Sequence, residues 1–336
     1  MKAAVCCTLG VWVWLGITGS PSAHAGSTIR VSVNSAGNQA NSDSFNPAIS
    51  ANGQVVAFES DATNLVGGDT NATRDIFVHD LRTGQTLRAS VSSAGTQANG
   101  GNSFSPTISA NGRVVAFASV ATNLVAGDTN AATDIFVHDL STGVTVRASV
   151  DPVGIQANDD SFNPAISANG RFVAFESLAT NLVVGDTNAT RDIFVHDLKT
   201  GQTVRASVDS AGTQANGPSF FPSISAYGRF VAFQSAATNL VAGDTNNEFD
   251  VFVHDMRTGQ TVRASVDSAG AEVLGRSGPP TISANGRFVT FASEATNLVA
   301  GDTNAAIDVF VHDLRTGQTV RASVGSGETQ GNGPSR

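Results

Sequence analysis

Five segments of the 336-residue chain share the pattern Asp-x-Asn-x-x-x-Asp. They are Asp69, Asn71 and Asp75; Asp128, Asn130 and Asp134; Asp186, Asn188 and Asp192; Asp244, Asn246 and Asp250; and Asp302, Asn304 and Asp308. Two carboxylates and an amide at this spacing suit the holding of a hard cation. Calcium takes about six to eight oxygen ligands, mixing carboxylates, amide oxygens, backbone carbonyls and water. Positions 1 and 3 of a tight loop can point inward together, and the second Asp follows at a strand entrance. The fifth position varies (Thr73, Ala132, Thr190, Glu248, Ala306), so only its carbonyl would be a shared ligand. Such a set leaves places for water and implies modest affinity. The same residues have a structural use, because Asp and Asn side chains bond nearby backbone amides in turns. The loops also lack the glycine and the position-12 glutamate of an EF-hand. The pattern therefore predicts either calcium-binding loops or polar turns.

Other polar residues repeat as well. His79, His138, His196, His254 and His312 each stand in Phe-Val-His-Asp. A metal or catalytic centre would need several histidines to converge; on separate repeats they are expected to pack singly, each with one hydrogen bond. The following aspartates, Asp80, Asp139, Asp197, Asp255 and Asp313, open Asp-x-x-Thr-Gly turns. The arginines of Arg-Ala-Ser-Val are expected to be solvated edge charges that discourage sheet aggregation. Glu59, Glu176 and Glu294 are expected to end the second strand of three repeats, where the others have Ala118 and Gln234. No spacing forces two of these carboxylates together for acid–base work.

These residues sit in a tandem repeat. Pro47, Pro106, Pro164, Pro222 and Pro280 mark a period of 58 or 59 residues. One unit reads PAISANGRFVAFESLATNLVVGDTNATRDIFVHDLKTGQTVRASV and carries four strand signals. Pro-x-Ile-Ser is followed by an Asn-Gly hairpin turn. RFVAFES is rich in β-branched and aromatic residues. A long loop leads to DIFVHDL, and a Thr-Gly turn leads to TVRASV. Proline at the first residues of a strand is one of the few places a sheet tolerates it. Ile193 and Val195 point one way and Phe194 the other, which suits a sheet covered on both faces. A repeated four-stranded unit of this length predicts a β-propeller. The expected fold is all-β, with five four-stranded blades of about 58 residues starting near 44, 103, 161, 219 and 277; an incomplete six-bladed form is the alternative. TIRVSV at 28–33 copies a fourth strand with no blade before it, although the last unit has its own at 319–324. In a propeller, the loops from second to third strand and from blade to blade share one face, so the Asp-x-Asn loops and the TQANG linkers should be neighbours.

P-x-I-S-A-N-G-R-F-V-A-F followed by D-I-F-V-H-D-L-x-T-G resembles the WD-like propeller repeat of the TolB type, found in exported bacterial proteins. The resemblance covers nearly all of residues 26–336, expected to form one propeller domain. It departs from TolB in showing no separate N-terminal domain before the blades, and from propeller peptidases in lacking Gly-x-Ser-x-Gly.

Residues 1–25 read as an export signal: Lys2, an apolar run from Ala3 to Thr18, and the small-x-small site Ala23-His24-Ala25. The apolar run is shorter than the roughly 20 residues of a membrane span. Its removal takes Cys6, Cys7, Trp12 and Trp14, and changes the formal charge from −9 to −10. An acidic chain without a basic cluster argues against nucleic acid and anionic membranes. The expected protein is secreted or periplasmic, monomeric and without a membrane span after cleavage. Three functions compete: a binding scaffold for a protein or cell-envelope ligand, a carbohydrate-binding or carbohydrate-active propeller, and another enzyme. Sugar sites usually stack the ring on Trp or Tyr; Tyr227 alone remains. Catalysis needs particular residues in one place, and near-identical repeats do not supply it. The reading favoured is a non-enzymatic module working through the Asp-x-Asn face.

Overall fold

The structure, a computed structural model, describes residues 28–326 and 329–335. The export signal read in residues 1–25 lies outside the described residues. From Val31 onward the chain forms one compact unit.

Among the described residues, twenty strands form five separate antiparallel sheets of four, each ordered as in the chain. Blade one is β1 (Ser44–Ile49), β2 (Val55–Ser60), β3 (Asp75–Asp80) and β4 (Gln85–Arg88). Blade two is β5 (Ser103–Ile108), β6 (Val114–Ser119), β7 (Asp134–Asp139) and β8 (Val144–Arg147). Blade three is β9 (Ser161–Ile166), β10 (Phe172–Ser177), β11 (Asp192–Asp197) and β12 (Gln202–Arg205). Blade four is β13 (Ser219–Ile224), β14 (Phe230–Ser235), β15 (Asp250–Asp255) and β16 (Gln260–Arg263). Blade five is β17 (Thr281–Ile282), β18 (Phe288–Ser293), β19 (Asp308–Asp313) and β20 (Gln318–Arg321). This is the five-bladed, all-β propeller architecture that the repeat predicts.

The middle strands are apolar on both faces because each blade is sandwiched. Ile193 and Val195 join a core with Val231 and Phe233 of blade four, whereas Phe194 joins one with Ala116 and Val137 of blade two. At about 25 cal/mol per Å² of apolar surface removed from water, these junction cores are the main stabilising element. The first strand of blades one to four carries a bulge. There Asn46, Ser105, Asn163 and Phe221 take φ of about +50°, a region costly for a side-chain-bearing residue. Blade five differs. Gly278 and Pro279 replace Phe-Asn ahead of Pro280, and two consecutive prolines cannot donate to a ladder. Its first strand shrinks to Thr281–Ile282, with a lone bridge from Ser277 to Ser293.

The surplus N-terminal copy does not add a strand to blade five, whose sheet consists of its own β17–β20. Instead, residues 31–40 take the place a linker takes elsewhere. Val33 bridges Gln39 as Val91 bridges Gln97, and Val31 and Ala40 pack on Val56, Phe58 and Phe77 of blade one. Blades one and five each keep one sheet face that no other described blade covers. β1 is exposed along most of its length, whereas β5 and β9 are largely buried. Val309 and Val311 of β19 are half-buried, whereas Val78, Val137, Val195 and Val253 are buried.

Candidate functional site

The long loop ahead of each third strand and the linker to the next blade meet on one face, as expected. The amide Nε2 of Gln97 donates to Thr70 Oγ1 at 2.8 Å. Asn71 Nδ2 donates to the carbonyl of Ala98 at 3.0 Å. Past this point the same linker turns to the next blade: Asn99 Nδ2 donates to Thr122 Oγ1, and Asn99 Oδ1 accepts the amide of Thr122. The pattern repeats at Asn158 with Thr180 and at Asn216 with Thr238. Loops and linkers thus form a continuous, internally bonded belt.

Within each loop, the predicted Asp, Asn and Asp come together around an arginine. In blade one, Arg88 Nη1 lies 3.2 Å from Asp69 Oδ1 and 2.9 Å from Asp75 Oδ2. Asp75 Oδ1 accepts from Ser90 Oγ, Asn71 Nδ2 donates to Asp75 Oδ2, and Asn71 Oδ1 accepts the amide of Thr73. Blade two repeats this with Arg147 on Asp128 and Asp134, and with Asn130 on Asp134. In blade three, Arg205 meets Asp186 and Asp192, and Asn188 bonds Asp192. In blade four, Arg263 meets Asp244 and Asp250, while Asn246 bonds the Val273 carbonyl. In blade five, Arg321 meets Asp308, Gln330 Nε2 bonds both Asp302 and Asp308, and Asn304 bonds the Gly331 carbonyl.

The arginines of Arg-Ala-Ser-Val are therefore not solvated edge charges. The linker folds back over the outer strand and buries them, with Arg88 side-chain exposure at 8 %. A buried guanidinium requires carboxylate partners; blades one to four supply two aspartates each, and blade five supplies Asp308.

The set tests poorly as an oxygen cage for calcium. The positive charge at its centre is already the guanidinium, and the Asn amide turns its nitrogen, not its oxygen, toward the second Asp in blades one to three. The buried carboxylate oxygens left without a hydrogen bond are Asp69 Oδ1, Asp128 Oδ1 and both oxygens of Asp244. Burial pushes the Asp69 and Asp128 carboxyls above the usual range.

Blade four departs from its neighbours because Glu272 stands where the other linkers carry Gln97, Gln156, Gln214 and Gln330. Its Oε1 lies 2.6 Å from Arg263 Nη1 and accepts the amide of Thr245, and its Oε2 accepts Thr245 Oγ1. Asp244, Asp250 and Glu272 bring carboxylate oxygens within 4.8 Å of one another, the one such acidic group among the described residues. Burial, the charge of Asp250 and then that of Glu272 push the Asp244 carboxyl up to about 6 against the pull of Arg263. Its bonds to Thr245 and Arg263, working against burial, hold Glu272 down at about 2.

The five histidines are buried singly, each with Nδ1 at 2.8–2.9 Å from a threonine hydroxyl on the neighbouring strand, and burial lowers their pKa. The turn aspartates accept backbone amides, as Asp80 does from Arg82. Four of them also face an arginine from the preceding hairpin: Arg113 lies 3.8 Å from Asp139, while Arg171 on Asp197, Arg229 on Asp255 and Arg287 on Asp313 bond closely and keep those three carboxyls well below the usual range.

Glu59 and Glu176 have a junction role that sequence reasoning missed. Glu59 Oε2 accepts the amide of Ser105 in the next blade, and Glu176 Oε2 that of Phe221. Each thereby ties down a left-handed bulge residue across a blade boundary, while Oε1 accepts from Asn46 or Asn163. Glu294 is not their equivalent. It lies past β18 and is exposed, and Ala292 occupies the corresponding position opposite Val309.

Comparison with solved structures agrees with the fold. A prolyl endopeptidase structure is similar with a TM-score of 0.52 and 14 % identity, over 83 % of this chain and 36 % of that one. An oligogalacturonate lyase in complex with manganese is similar with a TM-score of 0.51 and 13 % identity, over 82 % of this chain and 64 % of that one. TolB from Acinetobacter baumannii is similar with a TM-score of 0.47 and 18 % identity, over 83 % of this chain. The chain spans 54 % of that TolB chain. No protein-family model matches the chain, and no curated protein does.

Proposed function

We propose that the chain is an exported, non-enzymatic binding module that engages a protein or cell-envelope partner through the belt of Asp-x-Asn loops and linkers. The observation that carries this reading is the internal bonding of that belt. Each loop is tied to its own linker and each linker to the next blade, so the face is rigid before any partner arrives, and little ordering entropy is lost on binding. The second Asp of each loop is engaged with a buried arginine, the five histidines lie elsewhere, and no nucleophile–base pair stands on this face among the described residues. A rigid display surface fits that chemistry better than a catalytic centre does. Export rests on the reading of residues 1–25. The calcium reading is kept at blade four alone, where Asp244, Asp250 and Glu272 bring carboxylate oxygens together, and there an ion has to displace Arg263.

Exposed apolar side chains break the repeat in these loops and linkers, among them Val184 in the blade-three loop, Ile155 at the threonine position of the linker after blade two, and Leu274 in the linker position that Asn99 holds elsewhere. The test is affinity capture from culture medium and cell-envelope extract, with and without chelator. Val184→Arg and Leu274→Arg variants are compared with Thr142→Arg on the opposite, hairpin face. The expected result is a discrete partner lost with the first two variants and kept with the third. Capture that only the hairpin-face variant abolishes would overturn the reading. So would strong binding of the chain to a glycan array.

A further inference from the structure

The four junctions inside the chain share one construction. The residue opening the second strand of a blade packs on the glycine of the first hairpin turn of the next, which follows Asn at three junctions and Tyr227 at the remaining one. Val55 lies against Gly112, Val114 against Gly170, the Phe172 ring against Gly228, and the Phe230 ring against Gly286. Beside this contact a backbone hydrogen bond crosses the boundary: Ala51 N–H to the Ala110 carbonyl, Ala110 to Ala168, Asn169 to Ala226, and Ala226 to Ala284, at 2.9–3.1 Å. The first strand of the following blade then lies over the second strand of the preceding one, reaching the third strand at the first three junctions, and Ile108, Ile166 and Ile282 are buried there.

Both halves of this junction recur at the ends with no counterpart among the described residues. Blade one offers Gly53, with open space where a Cβ would point, and β1 with Ile49 60 % and Phe45 39 % exposed. Blade five offers Phe288, the amide of Ala284, and half-buried Val309 and Val311. Beside them runs a groove of about 710 Å³ lined by residues that include Arg276, Thr290, Ala292 and Val309, where an interior junction lays the next first strand. We propose that blade five of one copy packs on blade one of a second copy, with Phe288 over Gly53 and the Ala284 amide bonded to the Ala51 carbonyl. The occupant is a second copy of this chain because both complementary halves are present on it, built from the same residue types that already fit together four times. The contact is heterologous, so it propagates or closes into a ring of copies instead of stopping at a twofold dimer.

One element stands in the way. At an interior junction a single linker serves both blades, with a buried alanine (Ala98, Ala157 or Ala215) or, at the fourth, Val273 in the core. Two docked copies would bring two segments to that position: residues 31–40 of one, with Ala40, and residues 329–335 of the other, with Gly331. Gly331 supplies no methyl to the core, so the C-terminal segment is the one displaced, and it acts as a removable competitor.

Sedimentation velocity on the full chain over micromolar concentrations tests this. Association is expected to rise with concentration and to shift to at least several-fold lower concentration when residues 325–336 are deleted. Ile49→Arg and Val311→Arg should each abolish it with little change in melting temperature, and Thr290→Arg replaces the second if that variant unfolds. Mixed together, the two variants should form dimers and nothing larger, because each keeps one intact half. A monomer at every concentration, or single variants that still associate, would overturn the proposal. So would a disulfide forming within one chain in an Ala51→Cys, Ala284→Cys variant carrying serine at positions 6 and 7, since that would mean the two faces meet each other.

Discussion

Replacing Glu272 by glutamine tests how charge is arranged in the belt. In the wild-type chain Asp244 is pushed up to about 6 from an ordinary 3.8. Such a group binds a proton in the folded state between those two values while the unfolded chain does not. Its effect on stability is therefore neutral below about pH 4 and grows unfavourable as pH rises to about 6. Between pH 5 and 7.5 the folded carboxyl gives up its proton over one pKa unit, about 1.4 kcal/mol, reduced to about 1 kcal/mol by solvent screening. Glu272 itself, at about 2 in the folded chain against an ordinary 4.5, changes stability by only about 0.2 kcal/mol across that window. Glutamine keeps the bonds to Thr245 and can donate Nε2 to the two aspartates, as Gln214 does to Asp186 and Asp192 at 2.8 and 2.9 Å. The variant should therefore gain on the wild type as pH rises from 5 to 7.5, by up to about 1 kcal/mol, with burial and Asp250 still holding Asp244 partly raised. Urea denaturation of both proteins at pH 5, 6 and 7.5 reads the difference directly; Asp250, raised by burial and in part by the charge of Glu272, moves in the same direction as Asp244, and carboxylates remote from Glu272 cancel. A stability difference that does not change with pH, or that moves against the variant as pH rises, would refute the reasoning.

Other outcomes follow from the same geometry. Arg147→Met leaves Asp128 and Asp134 buried without their cation and should cost about 3–5 kcal/mol in denaturant unfolding; a loss under 1 kcal/mol would mean the pair is solvated. Glu176→Ala releases the Phe221 amide and Asn163 together and should cost about 2–4 kcal/mol, whereas Glu294→Ala, on an exposed residue, should stay within about 0.5 kcal/mol. Gly286→Ala would drive a Cβ into the Phe230 ring as well as straining a φ of +71°, and should cost more than 2 kcal/mol. Gly53→Ala meets open space and should cost only the left-handed penalty of about 1–2 kcal/mol; equal losses at both sites would show blade one to be covered.

The blades and their turns were legible because strand signals, Asn-Gly turns and prolines recur with one period, and because Ile193 and Phe194 show apolar character on opposite faces of one strand. The grouping of Asp, Asn and Asp was legible too. Its centre was not, since Arg88 sits thirteen residues past Asp75 and reads as an edge residue until the linker is seen to cover the outer strand. A signal did exist: each repeat matches one arginine with two aspartates. The junction role of Glu59 and Glu176 depends on contacts with the next blade. Yet those two blades alone pair the glutamate with an asparagine, Asn46 or Asn163, where the others have Ser105 with Ala118, Phe221 with Gln234 and Pro279 with Ala292. Glu294 was misplaced because a Ser-Glu end and a Glu-Ser end look alike without the strand register.

The sameness of the four junctions bears on how such a chain changes length. Val55, Val114, Phe172 and Phe230 each meet a glycine of the same hairpin type, so the contacts do not record which blade is which. Removing residues 103–160 would bring Val55 to Gly170 and make a junction much like the one it had with Gly112. Unequal recombination between repeats would thus yield shorter or longer arrays with their interfaces already fitted. Copy number can drift by whole blades, with stability changing by roughly one blade and one interface at a time.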